Sequence, residues 1–453
     1  MLNRIITNIS WIIGLLLIAA STQAATVSEM SSEPFGEFNG TEYQRVTGRF
    51  EGTTSMGDFA VPFEVIGPVD LARNARTVLF EAPHWSFAPL GRDLIVGRNL
   101  IFNRGISYAA VGFGVDGGNI LNPAMPNLQI ADMPVPDPGE VRFSGPTDVE
   151  IIVQFIEALR LDPHQFGLDA AEQVYAYGVS RSADALMAVQ QTVTGSSSAG
   201  IFDLTLLHNP AWEIEIELPV PPPGGNFDAL GGPFVAPVDV GRVMFLQAEG
   251  DHVAFNSEVF RSVANLDNYR IYEVAGAAHL PTVPALANME AGDNPLDHWA
   301  VMRALFVAGN DWMRSGIEPP ANALLESAPA GEIDPVYDFE TGIARDADGN
   351  ALGGIRLPDL VAGRRLFIAS DPETITLEIP FLAPLTGSQN DLECTPRPDG
   401  SERFDVPRVY DWQVTLQTVE LVRQGFLLQG DAVPLMFDAV DSAVGRDERC
   451  SDN

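Results

Sequence analysis

The sequence has no lysine, so arginine supplies every basic side chain other than the six histidines. Lysine and arginine together number 26 against 61 aspartate and glutamate residues, which gives a formal net charge of −35. A surface this acidic repels the phosphates of nucleic acids, and we therefore expect no nucleic-acid partner. The composition favours a soluble exported protein over a specific function for an acidic patch.

Cysteine is also scarce: the chain has only Cys394 and Cys450. No cysteine–histidine cluster has zinc spacing, and the glycine-rich stretch 112–118 lacks the lysine of a phosphate-binding loop. The stretch DADGN at 346–350 carries its glycine at the fourth position, whereas an EF-hand loop needs glycine at the sixth. We therefore expect neither a metal nor a cofactor. In an exported protein the two cysteines are expected to form a disulfide, and two free thiols are the alternative.

The first 24 residues have the pattern of a secretory signal peptide. Arg4 gives a positive start, an apolar stretch runs from Trp11 to Ala20, and Thr22-Gln23-Ala24 fits a cleavage site. The apolar stretch is too short for a dependable membrane span, and no cysteine follows it that would carry a lipid. We therefore expect a secreted or periplasmic protein without a stable membrane span; a retained N-terminal anchor is the alternative.

Strand-like and helix-like segments alternate from about residue 43 to residue 316. This alternation is typical of an α/β fold with a mostly parallel central sheet and helices on both faces. The proline- and glycine-rich stretch 210–239 is too long for a simple connection and predicts a lid-like insertion. Residues 25–453 are expected to form one elaborated domain, in which 317–453 is a C-terminal extension that begins with a linker-like stretch. The expected strands of the core read YQRVTGRFEG, FAVPFEVIG, RTVLFEAP, ISYAAVGFG, QVYAYGVS, FDLTLLHN, RVMFLQAE and YRIYEVAG.

Three residues suited to nucleophilic catalysis follow predicted strands: Ser180, Asp251 and His279. The carboxyl ends of parallel strands meet at one edge of a sheet, so these side chains are expected to lie together. A serine hydroxyl needs a base to take its proton, and that base needs an anion to orient it. The chain order is that of α/β-hydrolases, and the Gly-Val-Ser-Arg-Ser stretch around Ser180 resembles their G-x-S-x-G nucleophile turn, from which it departs at the last position, Ser182. Glu249 is the alternative acid.

Further groups are expected around these three residues. Two backbone N–H donors would bind the developing oxyanion. One donor is expected from Arg181 and the other from His84 or Trp85, in the loop after RTVLFEAP. The substrate pocket is expected to be lined by Trp212, Phe227 and His208, of which the first two belong to the predicted insertion.

These motifs resemble the "alpha/beta hydrolase domain" family of exported bacterial proteins. GVSRSA is similar to the family's Gly-x-Ser-Gln-Ser-Ala turn, YEVAGAAHLP to its Glu-Val-Ala-Gly-x-x-His block, and MFLQAEGDHV to its acid block. NPLDHWAVMRAL and DADGNALGGIRLPDL also resemble family blocks. Two stretches depart from the family: Arg181 replaces glutamine, and EAPHWSF stands where the family has a Trp-Leu-Asn-type segment.

The resemblance spans roughly residues 60 to 440 and implies an α/β-hydrolase fold in one elaborated domain. It places the family's histidine on His279 and its acid on Asp251, and it implies ester hydrolysis. We therefore expect a secreted serine hydrolase that cleaves a carboxylic ester, either a small molecule or a fragment of a polymer. A lactone or peptide hydrolase and a non-catalytic binding protein on the same fold are the alternatives.

Overall fold

The computed structural model describes residues 25–55, 57–83, 89–112, 146–193, 200–210, 240–255, 257–281, 294–328, 342–370, 385, 387–404, 408–442 and 444. Several predicted features lie outside these residues: the signal peptide, His84, Trp85, Trp212, Phe227 and Cys450.

The described strands are β1 (Thr26–Phe38), β2 (Thr41–Thr54), β3 (Gly57–Pro68), β4 (Thr77–Glu81), β5 (Ser107–Val111), β6 (Gln173–Val179), β7 (Leu204–His208), β8 (Arg242–Ala248), β9 (Tyr269–Val274), β10 (Arg365–Ile368) and β11 (Ser388–Asp391). The first nine form the central sheet of the described structure, with the strand order β1-β2-β3-β5-β4-β6-β7-β8-β9. The first three strands and β5 pair antiparallel, and every pairing from β5 through β4 to β9 is parallel. A separate two-stranded antiparallel sheet is formed by β10 and β11.

Helices connect the parallel strands and cover both faces of the sheet. They are α1 (Arg98–Phe102), α2 (Pro146–Leu161), α3 (Arg181–Val193), α4 (Glu249–Ala254), α5 (Trp299–Ser315), α6 (Pro358–Ala362), α7 (Val409–Gln424) and α8 (Gln429–Asp441). A short π-helix spans Gly91–Ile95, and 3-10 turns span Leu71–Arg73, Pro163–Phe166 and Ser257–Val263.

Successive side chains along the strands point to opposite faces of the sheet, and each face carries its own apolar core. In β4, Leu79 belongs to one core, whereas Val78 and Phe80 belong to the other. The first core packs against α1 and α5, and the second packs against α2 and α3. Strands β4, β5 and β7 are buried along their whole length, which explains why their sequences are nearly continuous apolar runs. The predicted α/β architecture with a mostly parallel sheet is confirmed.

The local predictions were wrong in three places. The stretch GRDLIVGRNLIFNRG (91–105), whose apolar residues at helical spacing predict a single helix, is divided, because Gly97 takes a φ of 91° between the π-helix and α1. The sheet gains β1, whose residues are mostly exposed and give little apolar signal. The linker-like stretch after residue 316 instead lies along β9, where Ala323 forms a parallel bridge to Tyr272.

The C-terminal third of the chain continues the coverage of β9. Ile355 forms a parallel bridge to Val274, and Leu325 forms an antiparallel bridge to Gly353. Both Ile355 and Leu325 are buried in the first apolar core. The segment after residue 316 is therefore an integral layer beside the last sheet strand.

Three smaller observations complete the fold. Cys394 is disulfide-bonded, and Cys450, the only other cysteine of the sequence, lies outside the described residues. Among the residues that the structure describes, no helix has the length and apolar character to cross a membrane. The DADGN stretch is a turn, in which Asp346 Oδ1 accepts hydrogen bonds from the N–H groups of Asp348 and Asn350.

Candidate active site

Ser180 stands between the end of β6 and the start of α3, with a φ of 53°. A left-handed backbone is unfavourable for a residue with a side chain, and such strain is typical of functional turns. The turn is held by hydrogen bonds from the Ser180 N–H to the carbonyl of His208 (2.8 Å) and from the Ala183 N–H to the carbonyl of Ser180 (2.9 Å). The local backbone therefore presents the Ser180 side chain at the carboxyl edge of the sheet.

Two small residues allow strand and helix to come this close. A Cβ added to Gly178 would lie 2.6 Å from the backbone oxygen of Ser182, which only glycine avoids. Ser182 takes the place of the usual second glycine and is buried. Its hydroxyl accepts a hydrogen bond from the N–H of Val179 (2.8 Å) and donates one to the same residue's carbonyl (2.9 Å). The serine thus satisfies two backbone groups at the turn.

The structure brings Ser180, His279 and Asp251 into one hydrogen-bonded line. The Nε2 atom of His279 lies 3.0 Å from Ser180 Oγ, and its Nδ1 atom lies 2.7 Å from Asp251 Oδ1. Asp251 is fully buried and His279 is 4% exposed. The ring of Phe255 packs edge-on against the imidazole, with 5.0 Å between centroids. Burial and hydrogen bonding together fix the imidazole between the hydroxyl and the carboxylate.

Asp251 and Glu249 sit in the same short helix α4 but have different partners. The second oxygen of Asp251 accepts a hydrogen bond from the Ala248 N–H (2.9 Å). Glu249 instead pairs with Arg345 (2.5 Å) and accepts a hydrogen bond from the N–H of Gly276 (2.6 Å). Asp251 is therefore the acid that contacts His279, whereas Glu249 forms an ion pair with Arg345 in the C-terminal segment.

His208, expected at the substrate pocket, is fully buried instead. Its Nδ1 atom lies 3.0 Å from the hydroxyl of Tyr177, and its ring packs edge-on against His298 with centroids 4.9 Å apart. Burial lowers the pKa of His208 well below its usual value, helped by the neighbouring His298 and His279. His208 therefore belongs to a neutral polar layer beneath the site.

Three residues in contact with the site were not singled out by sequence reasoning: Asn209, Phe255 and His298. Asn209 directly follows β7, and its Nδ2 atom lies 3.0 Å from the carbonyl oxygen of His279. His298 is fully buried against Asn209. The one sequence signal for Asn209 was its place at a strand end, which is shared with Ser180 and Asp251.

The donors expected for the oxyanion are described only in part. Arg181 is the first residue of α3, and an N–H at this position has no acceptor within its own helix. His84 and Trp85 lie outside the described residues. The flanks of their loop are joined by Glu81, which accepts hydrogen bonds from the N–H groups of Gly91 (2.6 Å) and Arg92 (3.1 Å). Burial raises the pKa of Glu81 to about 7, although these donors and the Arg92 charge oppose the rise.

This arrangement has the parts needed for proton transfer from a hydroxyl. A histidine within hydrogen-bond distance can take the proton of Ser180, and a buried carboxylate on its far nitrogen stabilises the resulting imidazolium. A helix N-terminus directly follows the serine and favours negative charge there. Within the described residues no group of three side chains is placed to hold a metal ion.

The chain belongs to the alpha/beta hydrolase domain family, whose profile matches residues 65–436. The resemblance drawn from the sequence motifs is therefore confirmed, and with it the α/β-hydrolase fold and membership of the hydrolase superfamily. No curated protein matches the chain at a significant level.

Solved esterase structures show a distant likeness. An arylesterase has a TM-score of 0.34 and 11% identity, covering 57% of this chain and 79% of its own. A thermostable esterase from Pseudomonas putida has a TM-score of 0.33 and 11% identity, covering 55% and 72%. The esterase Est22 has a TM-score of 0.34 and 13% identity, again covering 55% and 72%. Assignment to the family rests on the profile match.

Proposed function

We propose that the protein is an exported serine hydrolase that cleaves carboxylic esters through an acyl-enzyme. The observation that carries the proposal is the continuous line from Ser180 through His279 to Asp251, with contacts of 3.0 and 2.7 Å. Family membership supports hydrolysis as the reaction class. The signal-like first 24 residues support export.

In the proposed acylation step, Ser180 Oγ attacks the ester carbonyl carbon while its proton passes to Nε2 of His279. Asp251 keeps Nδ1 protonated and stabilises the imidazolium through its 2.7 Å contact. The Arg181 N–H is the proposed donor to the oxyanion. His279 then gives its proton to the leaving alcohol as the carbon–oxygen bond breaks.

Deacylation repeats these steps with water. His279 takes a proton from the water, the hydroxide attacks the acyl carbon, and the proton returns to Ser180 Oγ as the acid leaves. The same base serves both halves because the alcohol and the attacking water occupy the same side of the acyl carbon.

A fluorophosphonate probe tests the proposal without knowledge of the substrate. We expect covalent labelling on Ser180, detected by mass spectrometry of the peptide, and no labelling of Ser180→Ala. Hydrolysis of p-nitrophenyl esters of increasing acyl length would then show the preferred acyl group. A folded wild-type protein that is neither labelled nor active on any ester would contradict the proposal and favour a binding protein.

The predicted lid over 210–239 remains part of this proposal. Its apolar residues Trp212 and Phe227 are expected to contact the acyl group, because the segment follows β7 at the edge of the sheet that carries Ser180. The ester series, repeated on Trp212→Ala, is expected to show an altered chain-length preference.

A further inference from the structure

Asn209 occupies an unusual backbone position directly after β7. Its φ is 48°, in the left-handed region where asparagine is among the few non-glycine residues tolerated. Its N–H donates to the carbonyl of Leu246 in β8 (2.7 Å). The residue is fully buried. The left-handed backbone of Asn209 costs conformational energy, so interactions of its buried side chain are expected to compensate for this cost.

The orientation of the Asn209 amide is fixed by its neighbours. The N–H of Ala248 can only donate, and it lies 3.0 Å from Oδ1. The carbonyl oxygen of His279 can only accept, and it lies 3.0 Å from Nδ2. This orientation of the amide satisfies both contacts, whereas the flipped orientation satisfies neither of them. Asn209 therefore bridges the acid loop and the histidine loop.

The second hydrogen on Nδ2 points to His298, whose Nε2 atom lies 3.1 Å away. An amide N–H needs an acceptor, so Nε2 of His298 is unprotonated and its proton sits on Nδ1. Burial lowers the pKa of His298 to about 3, and the nearby His279 adds to this effect. His298 is thus a neutral acceptor that completes the hydrogen bonding of the amide.

The contact with Ala248 connects Asn209 to the acid itself. The Ala248 N–H is shared between Asn209 Oδ1 (3.0 Å) and Asp251 Oδ2 (2.9 Å). The other oxygen of Asp251 contacts His279 Nδ1. The side-chain amide of Asn209 thus contacts, at one end, the Ala248 N–H that also donates to Asp251. At the other end it contacts the backbone carbonyl of His279.

We infer that Asn209 is a positioning residue that holds the Asp251 loop and the His279 loop in the geometry needed for reaction. This inference rests on the proposed function. Asn209 touches no reacting atom; it acts by fixing the distance between the two side chains that do. Losing the bridge lengthens the Asp251–His279 contact, and displacements on the order of 1 Å at such contacts lower rates by roughly 100-fold.

The test compares Asn209→Gly with Asn350→Gly. Glycine accepts the left-handed backbone of residue 209, so the change removes the amide without adding strain. Asn350 is a matched control, because this buried asparagine also bridges two backbone groups: it donates to the Arg365 carbonyl (3.0 Å) and accepts from the Phe367 N–H (2.9 Å). Its partners belong to β10, and neither of these hydrogen bonds reaches Ser180, Asp251 or His279.

The measurements are the rate of fluorophosphonate labelling of Ser180 against pH, and kcat and KM on the best p-nitrophenyl ester. For Asn209→Gly we expect the labelling rate and kcat to fall between about 10- and 100-fold with KM unchanged. A displaced contact between His279 Nδ1 and Asp251 is also expected to move the midpoint of the labelling profile, which a purely structural role of Asn209 would not do. Asn350→Gly is expected to keep the wild-type rate and midpoint.

A folded Asn209→Gly protein with the wild-type labelling rate and midpoint would overturn the inference and leave the proposed function standing. A wild-type protein that is not labelled at all would remove the proposed function itself. If Asn209→Gly fails to fold, Asn209→Asp replaces it, since aspartate keeps the acceptor for Ala248 and loses the amide donors. Slow labelling of Asn209→Asp is then the expected result, and wild-type labelling would equally overturn the inference.

Discussion

Nδ1 of His279 lies 2.7 Å from Oδ1 of Asp251, whereas Glu249, in the same turn of helix, pairs with Arg345. Two neighbouring acids thus have separate partners. Asp251→Asn is expected to lower kcat by about 10⁴-fold with little change in stability, because asparagine holds the imidazole in the wrong tautomer. Steady-state kinetics on a p-nitrophenyl ester and a denaturant melt provide the two measurements.

Glu249→Gln is expected to give the opposite result. Glu249 is fully buried and Arg345 nearly so, and removing one partner of a buried ion pair costs about 3 kcal/mol or more. The denaturation midpoint should therefore fall strongly, while the kcat of the protein that remains folded stays near the wild-type value. A larger loss of kcat in Glu249→Gln than in Asp251→Asn would show that Glu249 is the acid.

Replacement of Ser180 is expected to separate chemistry from backbone strain. Both Ser180→Ala and Ser180→Gly should abolish labelling and hydrolysis, because each removes the hydroxyl. At a φ of 53°, however, glycine relieves a strain that alanine keeps, so Ser180→Gly should be more stable by about 1 kcal/mol. Urea denaturation compares the two variants, and equal midpoints would argue against strain at this residue.

Gly178→Ala tests the close approach of β6 to α3. The new Cβ would lie 2.6 Å from the Ser182 oxygen and 2.7 Å from the Ala183 nitrogen, and overpacking of this kind costs about 1–3 kcal/mol. We expect lower stability and a large loss of turnover, because the turn that carries Ser180 must shift. The control is Gly430→Ala on α8, where the added Cβ meets nothing within 4 Å and a small gain in stability is expected. A Gly178→Ala enzyme with normal kinetics would mean that the turn tolerates a side chain.

The raised pKa of Glu81 leads us to expect that the stability of the protein depends on pH. Burial raises its pKa in the folded protein from 4.5 to about 7, so the folded state holds this proton more tightly than the unfolded state. The contribution of Glu81 to the free energy of unfolding therefore falls as the pH rises from about 4.5 to about 7. Relative to wild type, Glu81→Gln should gain stability between pH 5 and pH 8 in denaturant melts.

Glu273 serves as a control for this measurement, because its pKa is shifted in the opposite direction to that of Glu81. Burial opposes its charge, but His252 and Arg261 outweigh burial and lower its pKa from 4.5 to about 2. Its contribution is complete above pH 4.5 and is lost as the pH falls towards 2. Relative to wild type, the loss of stability in Glu273→Gln should therefore shrink as the pH falls from 4.5 towards 2. A Glu81→Gln curve that runs parallel to wild type between pH 5 and pH 8 would contradict the raised pKa of Glu81.

The sequence could predict the parallel sheet because its central strands are buried on both faces and read as apolar runs, as in TVLFE and LTLLH. It could also place Ser180, Asp251 and His279 at strand ends, and the structure brings their side chains together; their catalytic roles remain a prediction. The edge strand β1 was missed because its residues are largely exposed, so only pairing with β2 defines it.

The contacts of Asn209 could not be found from sequence for a different reason. They depend on the spatial order of the strands, which places β7 between β6 and β8 and so sets its last residues beside both the serine and the acid. Periodicity reports which face of a strand is buried but not which strand lies next to it. The bridges from Ala323 and Ile355 to β9 depend in the same way on tertiary pairing.

The layer that residues 323–325 and 353–355 add beside β9 has a consequence for the order of folding during synthesis. The ribosome completes Ser180, Asp251 and His279 before it reaches Arg345 and Ile355. In that interval Glu249 lacks its cation and the part of the β9 edge that Ile355 covers lies open, and an open strand edge pairs readily with other chains. A nascent chain that stops before residue 345 is therefore expected to aggregate although it already contains Ser180, Asp251 and His279, because the last third of the protein is needed to cover this strand edge.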